Sequence, residues 1–184
     1  PLWNLIYGLF IKLIGIDYIK IGVALHLLNI FFSLITIYYF YLIVKFFKLL
    51  NYQIYILYFV FFVFSISFIY YETYMHYTHL TVFLFAQFVY LYLKFSERFL
   101  FRYELFIYLT ALILALTWSA FSLPFFMIVI FIGITIIKFK YNIVRSLCIC
   151  LLFTVLSLSL SIKNKIEFNM FANSTWVGMQ LYTV

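Results

Sequence analysis

Charge is what this chain has least of. Only 9% of its 184 residues are charged, and only five are acids. A soluble domain carries roughly 25% charged residues and about half apolar ones. Here 68% are hydrophobic and the mean hydropathy is +1.17. No water-soluble core of this size can bury that much apolar surface, so the expected solvent is lipid. Cysteine is almost as scarce. Cys148 and Cys150 lie two apart in an apolar run, so they do not face each other on a helix and are expected to be small buried hydrophobes. There is no glycine-rich phosphate loop, no Ser/His/Asp set and no zincin spacing. Apolar and polar residues do not alternate over strand-length segments, which excludes a transmembrane barrel. No internal repeat of the transporter kind is visible.

The chain begins at Pro1 without the charged, apolar and small-residue series of a signal peptide, and is read as an internal piece of a longer protein. The net charge of +7 does not point to nucleic acid. The basic residues fall in short clusters between apolar runs, where membrane proteins keep their cytoplasmic loops. Aromatic residues reach 26%. An AT-rich coding sequence yields the same excess, so aromatics inform only by position.

The expected fold class is all-α: a polytopic membrane helix bundle of about six transmembrane helices behind an N-terminal interfacial amphipathic helix. Residues 1–20 carry apolar residues at helical spacing from Leu2 to Ile14, then Gly15, and form that amphipathic helix. The bundle occupies residues 21–162, with spans near 21–44, 53–70, 80–93, 105–119, 122–137 and 143–162. Residues 105–137 have no charge, and their length suits neither one span nor two. Thr117 to Pro124 reads as a turn, and two spans keep the clusters Lys94/Arg98/Arg102 and Lys138/Lys140/Arg145 on one side. Residues 163–184 begin an outer segment. Eight of the 12 basic residues then lie in cytoplasmic loops, and both chain ends lie outside.

The stretch that breaks the apolar pattern is Tyr70-Tyr71-Glu72-Thr73-Tyr74-Met75-His76-Tyr77-Thr78-His79-Leu80-Thr81. Glu72 and His76 are four apart and His76 and His79 three apart, so all three share a helix face. A carboxylate with two imidazoles can hold a divalent metal or a phosphate, or carry protons. Glu72 and His76 are the candidate metal ligands. The plainer reading is three polar side chains in water at a helix end. His26 and Asn29 lie on one side of the first span and should face the bundle, where helix-to-helix hydrogen bonding is the ordinary role. Tyr70, Tyr71, Tyr74 and Tyr77 suit either sugar stacking or an interfacial belt. Asn173-Ser174-Thr175 fits the glycosylation pattern, and Lys163 and Lys165 suit either a phosphate or snorkelling.

Four stretches carry a resemblance. They are Pro1-Leu2-Trp3-Asn4-Leu5-Ile6-Tyr7-Gly8-Leu9-Phe10-Ile11-Lys12-Leu13-Ile14-Gly15; His26-Leu27-Leu28-Asn29 with Tyr41-Leu42-Ile43-Val44-Lys45; Tyr71 to Thr81; and Ser174-Thr175-Trp176-Val177-Gly178-Met179. Together they resemble the polytopic GT-C glycosyltransferases that use polyprenyl-phosphate sugars, a group holding protein O-mannosyltransferases and bacterial aminoarabinose transferases. His26 stands where that family has Arg, and His79 where it has an aromatic. The resemblance implies transfer of a sugar from a polyprenyl-phosphate donor to a glycan, lipid or protein acceptor at the outer face. It puts the catalytic carboxylate before Pro1. It assigns Glu72, His76, His79, Tyr77 and His26 to substrate binding, with a divalent metal as the one cofactor such a set accommodates. The implied location is a bacterial inner membrane, or the endoplasmic reticulum membrane in a eukaryote. The competing expectations are a flippase or transporter of lipid-linked sugars, a membrane acyltransferase using His26, and a non-enzymatic subunit.

Overall fold

The computed structural model describes residues 2–15, 17–48, 51–58, 78–117, 124–137 and 143–169. They are almost entirely helical: α1 (Leu2–Ile14), α2 (Tyr18–Phe46), α3 (Asn51–Tyr58), α4 (Thr78–Arg98), α5 (Phe101–Thr117), α6 (Pro124–Ile137) and α7 (Ile143–Phe168). No strand occurs among the described residues. Among the described residues three stretches are long and apolar enough to cross a membrane: Ile19–Phe46, Thr78–Arg98 and Ile143–Glu167. Their length and composition fit an integral membrane protein. The expected six spans are not established: α5 has 17 residues and α6 14, and residues 59–70 of the expected second span lie outside the described residues.

Local chemistry sets the helix ends. α1 stops at Gly15, whose φ of +82 is open to glycine at little cost and whose N–H donates to the Ile11 carbonyl at 2.9 Å. Asp17 then caps α2, its carboxylate accepting from the Ile19 and Lys20 N–H groups at 3.2 Å. That cap corrects the expected single helix over 1–20, because residues 18–20 already belong to α2. α4 and α7 also run past the expected span ends, into charged residues. Hydropathy falls there but helix propensity does not, and Lys94–Glu97 (2.8 Å) and Lys163–Glu167 (3.8 Å) pair along the helix. Only five glycines are available, so Lys48, Phe99 and Asn169 take the left-handed position after α2, α4 and α7.

The chain forms two compact units, Leu2–Leu93 and the part from Lys94 onward. In the first, α1 touches α2. α2 and α4 pack side by side through Phe32–Phe83, Tyr39–Phe83 and Tyr39–Tyr90, with ring centroids 5.6–5.9 Å apart. The partners advance together along both helices, so the pair is parallel. In the second unit, Glu104 meets Ser146 and Tyr108 stacks on Phe153 at 5.8 Å, so α5 and α7 are also parallel. α6 packs against both.

Each unit turns much of its apolar surface outward while burying polar groups. Ile19, Val23, Leu27 and Leu34 on α2, and Val144, Leu151, Leu152 and Val155 on α7, are exposed. Asn29, Ser33 and Thr36 on α2, and Glu104, Ser146 and Ser157 on α5 and α7, are buried. Water would favour the reverse arrangement; lipid favours this one. The cysteines divide by the same geometry. Cys150 is buried and Cys148 exposed, correcting the expectation that both are buried, because two residues rotate about 200° around a helix.

Candidate functional site

The first polar cluster lies between α2 and α4. Ile21, Leu25, Asn29, Ser33 and Thr36 form one buried stripe at helical spacing. Thr36 satisfies its hydroxyl on its own helix, at the Phe32 carbonyl 2.7 Å away. Ser33 instead reaches across: its Oγ and His79 Nδ1 share a hydrogen bond of 3.1 Å. His79 is 2% exposed, in the first turn of α4. Asn29, one turn before Ser33, is fully buried, and neither its Oδ1 nor its Nδ2 has a hydrogen-bond partner. An unmet buried amide group costs about 1–3 kcal/mol, a cost that a functional group sustains more readily than a packing residue. Ser33 lies near the middle of α2, about 22 Å from its start at 1.5 Å per residue.

The second cluster was not legible as a candidate from the sequence. Glu104 is fully buried at the start of α5. Ser146 Oγ donates to its Oε1 in a short hydrogen bond. Arg145 Nη2 stands 3.8 Å from Oε2, which receives no hydrogen bond. The Arg145 guanidinium lies over the Phe101 ring at 4.6 Å. Tyr108 follows Glu104 by one turn and is buried, with a hydroxyl that lacks a hydrogen-bond partner. On α7, Cys150 follows Ser146 by one turn, its thiol 3.5 Å from the Met127 carbonyl. A signal does exist: Glu104, Tyr108, Ala111 and Ala115, and Ser146, Cys150 and Ser157, are two stripes of mostly small and polar residues at helical spacing. Such stripes mark close helix contacts in membranes.

Of the expected substrate-binding residues, Glu72, His76 and Tyr77 lie outside the described residues, as does the glycosylation motif at Asn173. His79 is buried beside α2, opposite its middle. His26 is exposed, which corrects the expectation that it faces the bundle with Asn29. Three residues turn a helix by 300°, so His26 sits about 60° round from Asn29, past the edge of the buried stripe. Lys163 and Lys165 are exposed, and Lys165 Nζ bonds Asn169 Oδ1 at 2.7 Å. Among the described residues no three His, Cys, Asp or Glu side chains gather to hold a metal. His79 Nδ1 is engaged with Ser33, and the metal candidates Glu72 and His76 are outside this set.

No protein-family model, no curated protein and no solved structure matches this chain. Function must be argued from its own residues.

Proposed function

We propose that this chain is the membrane-embedded part of a glycosyltransferase that takes its sugar from a polyprenyl phosphate and works at the outer face of a bacterial inner membrane. The reading rests on the resemblance of the Tyr71–Thr81 stretch and the N-terminal motifs to GT-C enzymes. The observation that carries it is the Ser33–His79 hydrogen bond. It ties the end of the Tyr70–Thr81 polar stretch to α2, one turn from the unmet Asn29 amide. Imidazole and amide groups of this kind suit hydroxyl and phosphate oxygens.

In the proposed reaction the acceptor oxygen bonds to the anomeric carbon, the carbon–phosphate oxygen bond breaks, and polyprenyl phosphate leaves. The acceptor proton passes to a carboxylate, which the resemblance assigns to sequence before Pro1. Glu72, His76, Tyr77 and His79 serve the donor phosphate and the acceptor. Glu72 and His76 are the residues that would hold a divalent metal beside the donor phosphate.

The test is release of polyprenyl phosphate by the full-length protein in proteoliposomes. Glu72→Gln should lower turnover about ten- to a hundredfold, the worth of one charge-assisted hydrogen bond, with membrane insertion unchanged. Unchanged turnover would remove Glu72 from the site.

A second reading is favoured by one observation. Asn29, Ser33 and Thr36 are buried along the middle of α2, with polar groups also buried in the second unit. Polar residues strung along helices suit a transporter or flippase of lipid-linked sugars. The same proteoliposomes would then move the lipid-linked sugar across the bilayer without releasing polyprenyl phosphate.

A further inference from the structure

One ionisable side chain of α2 is left facing the wrong solvent. His26 is exposed, and among the described residues no hydrogen bond, ion pair or ring contact reaches it. It lies seven residues into the apolar stretch that begins at Ile19, about 10 Å deep at 1.5 Å per residue. A lysine or arginine could snorkel from there to the headgroups; an imidazole is too short. In hydrocarbon its ring N–H and its bare ring nitrogen both lose the hydrogen bonds that water would supply. Ionisable groups at such depth are rare and are almost always turned to a partner. The outward face of α2 at His26 is therefore a face that something covers.

The surroundings suit a second helix. Ile19, Val23, Ile30 and Leu34 are all exposed, and with His26 they lie within about 80° of one another round α2, at 100° per residue. The steps from Ile19 to Val23, His26 and Ile30 are four, three and four residues, the spacing of a coiled-coil seam with one polar position. From Ile19 to Leu34 that seam is about 22 Å long, most of the ~30 Å hydrocarbon layer. Its occupant must bring a hydrogen-bonding group to the depth of His26. A second copy does so by symmetry: copies of one chain share a membrane orientation, and a twofold axis along the bilayer normal sets every residue level with its own copy. A neutral imidazole is also self-complementary, since one ring nitrogen donates and the other accepts. We propose that the Ile19–Leu34 face of α2 is a homodimer interface. Two parallel α2 helices pack there through Ile19, Val23, Ile30 and Leu34, and the two His26 rings share an N–H···N hydrogen bond across the axis.

The experiment uses the full chain in phosphatidylcholine vesicles, with Cys148 and Cys150 replaced by alanine. On oxidation with copper phenanthroline, Val23→Cys and Ile30→Cys should each give a disulfide-linked dimer. Leu28→Cys, about 200° round the helix from His26, should give none. Energy transfer between labelled chains, diluted in the same vesicles, reads the strength of association. His26→Ala should weaken it about three- to thirtyfold, the range for one hydrogen bond between membrane helices. His26→Asn should restore it, because a carboxamide also donates and accepts. His26 is exposed, so neither variant disturbs packing within the chain. Chains that stay monomeric would overturn the interface, and so would equal cross-linking at Leu28. Unchanged association in His26→Ala would remove the imidazole pair, and with it the reason for a second copy.

Discussion

Glu104 has no exposure, and its two carboxylate oxygens are served unequally: Ser146 donates to one, and Arg145 approaches the other without a hydrogen bond. A buried carboxylate needs both, because desolvating a charge costs more than any one contact returns. Arg145 is half in solvent, so its attraction is screened, and the Ser146 hydroxyl is the contact that matters most. Ser146→Ala should therefore destabilise the second unit by about 1.5–3 kcal/mol, the range for a hydrogen bond to a charged group. In a Glu104→Gln background the same substitution should cost less, since the stranded group is then neutral. Thermal unfolding of the four proteins in one detergent gives the coupling. Equal costs in both backgrounds would mean that the carboxylate's charge is irrelevant there. Ser33 and His79 make another buried hydrogen bond between helices. Double-mutant cycles between membrane helices average about 0.6 kcal/mol, so that bond fixes geometry more than stability.

Helix boundaries depend on a few polar residues at the ends. Asp17 accepts two backbone N–H groups at the start of α2 and pairs with Lys20 at 3.0 Å. The Lys20 hydrogen bonds, and then the one from Ile19, hold its carboxyl below the usual value of 3.8. A depressed carboxyl stabilises the folded state above its unfolded pKa and loses that effect as pH falls through the lower, folded one. Lowering the pH below about 4 should therefore speed hydrogen exchange at the Ile19 and Lys20 amides, while amides in the middle of α2 stay protected. Asp17→Asn should abolish the pH dependence and keep much of the cap. Such ends were partly legible. The stop at Gly15 and the helix start at Pro124 are written in residue type, and apolar runs alone imply an all-helical chain. The helices α4 and α7 run on past the apolar runs because hydropathy and helix propensity part company at Lys94 and Lys163. Glu104 escaped for a different reason. One acid beside a basic cluster looks like a solvated loop residue, and only its register with Tyr108 and Ala111 betrays the buried face. His26 was placed inward by three-residue spacing, when 60° of rotation was enough to carry it out.

At the scale of the whole molecule, both units are built on a parallel pair of helices. Parallel neighbours cannot be joined by a short turn; the chain has to travel back between them. Between α5 and α7 that return is α6, packed against both. Between α2 and α4 the connecting residues include α3. In the second unit the parallel pair fixes which residues share a membrane side. Glu104 aligns with Ser146, and Tyr108 with Phe153, so Thr117 falls near Ser161. Lys163 and Lys165 therefore lie beyond the far end of α5, about 25 Å from Arg102 at 1.5 Å per residue. That distance is close to the ~30 Å hydrocarbon thickness of a bilayer. With Cys148 and Cys150 replaced by alanine, cysteines at Arg102 and Ile143 should react with a membrane-impermeant maleimide from one side of sealed vesicles, and a cysteine at Lys163 from the other. If Arg102 and Lys163 label from the same side, α5 and α7 do not cross the bilayer as a parallel pair, and the outward placement of residues 163–184 loses its basis.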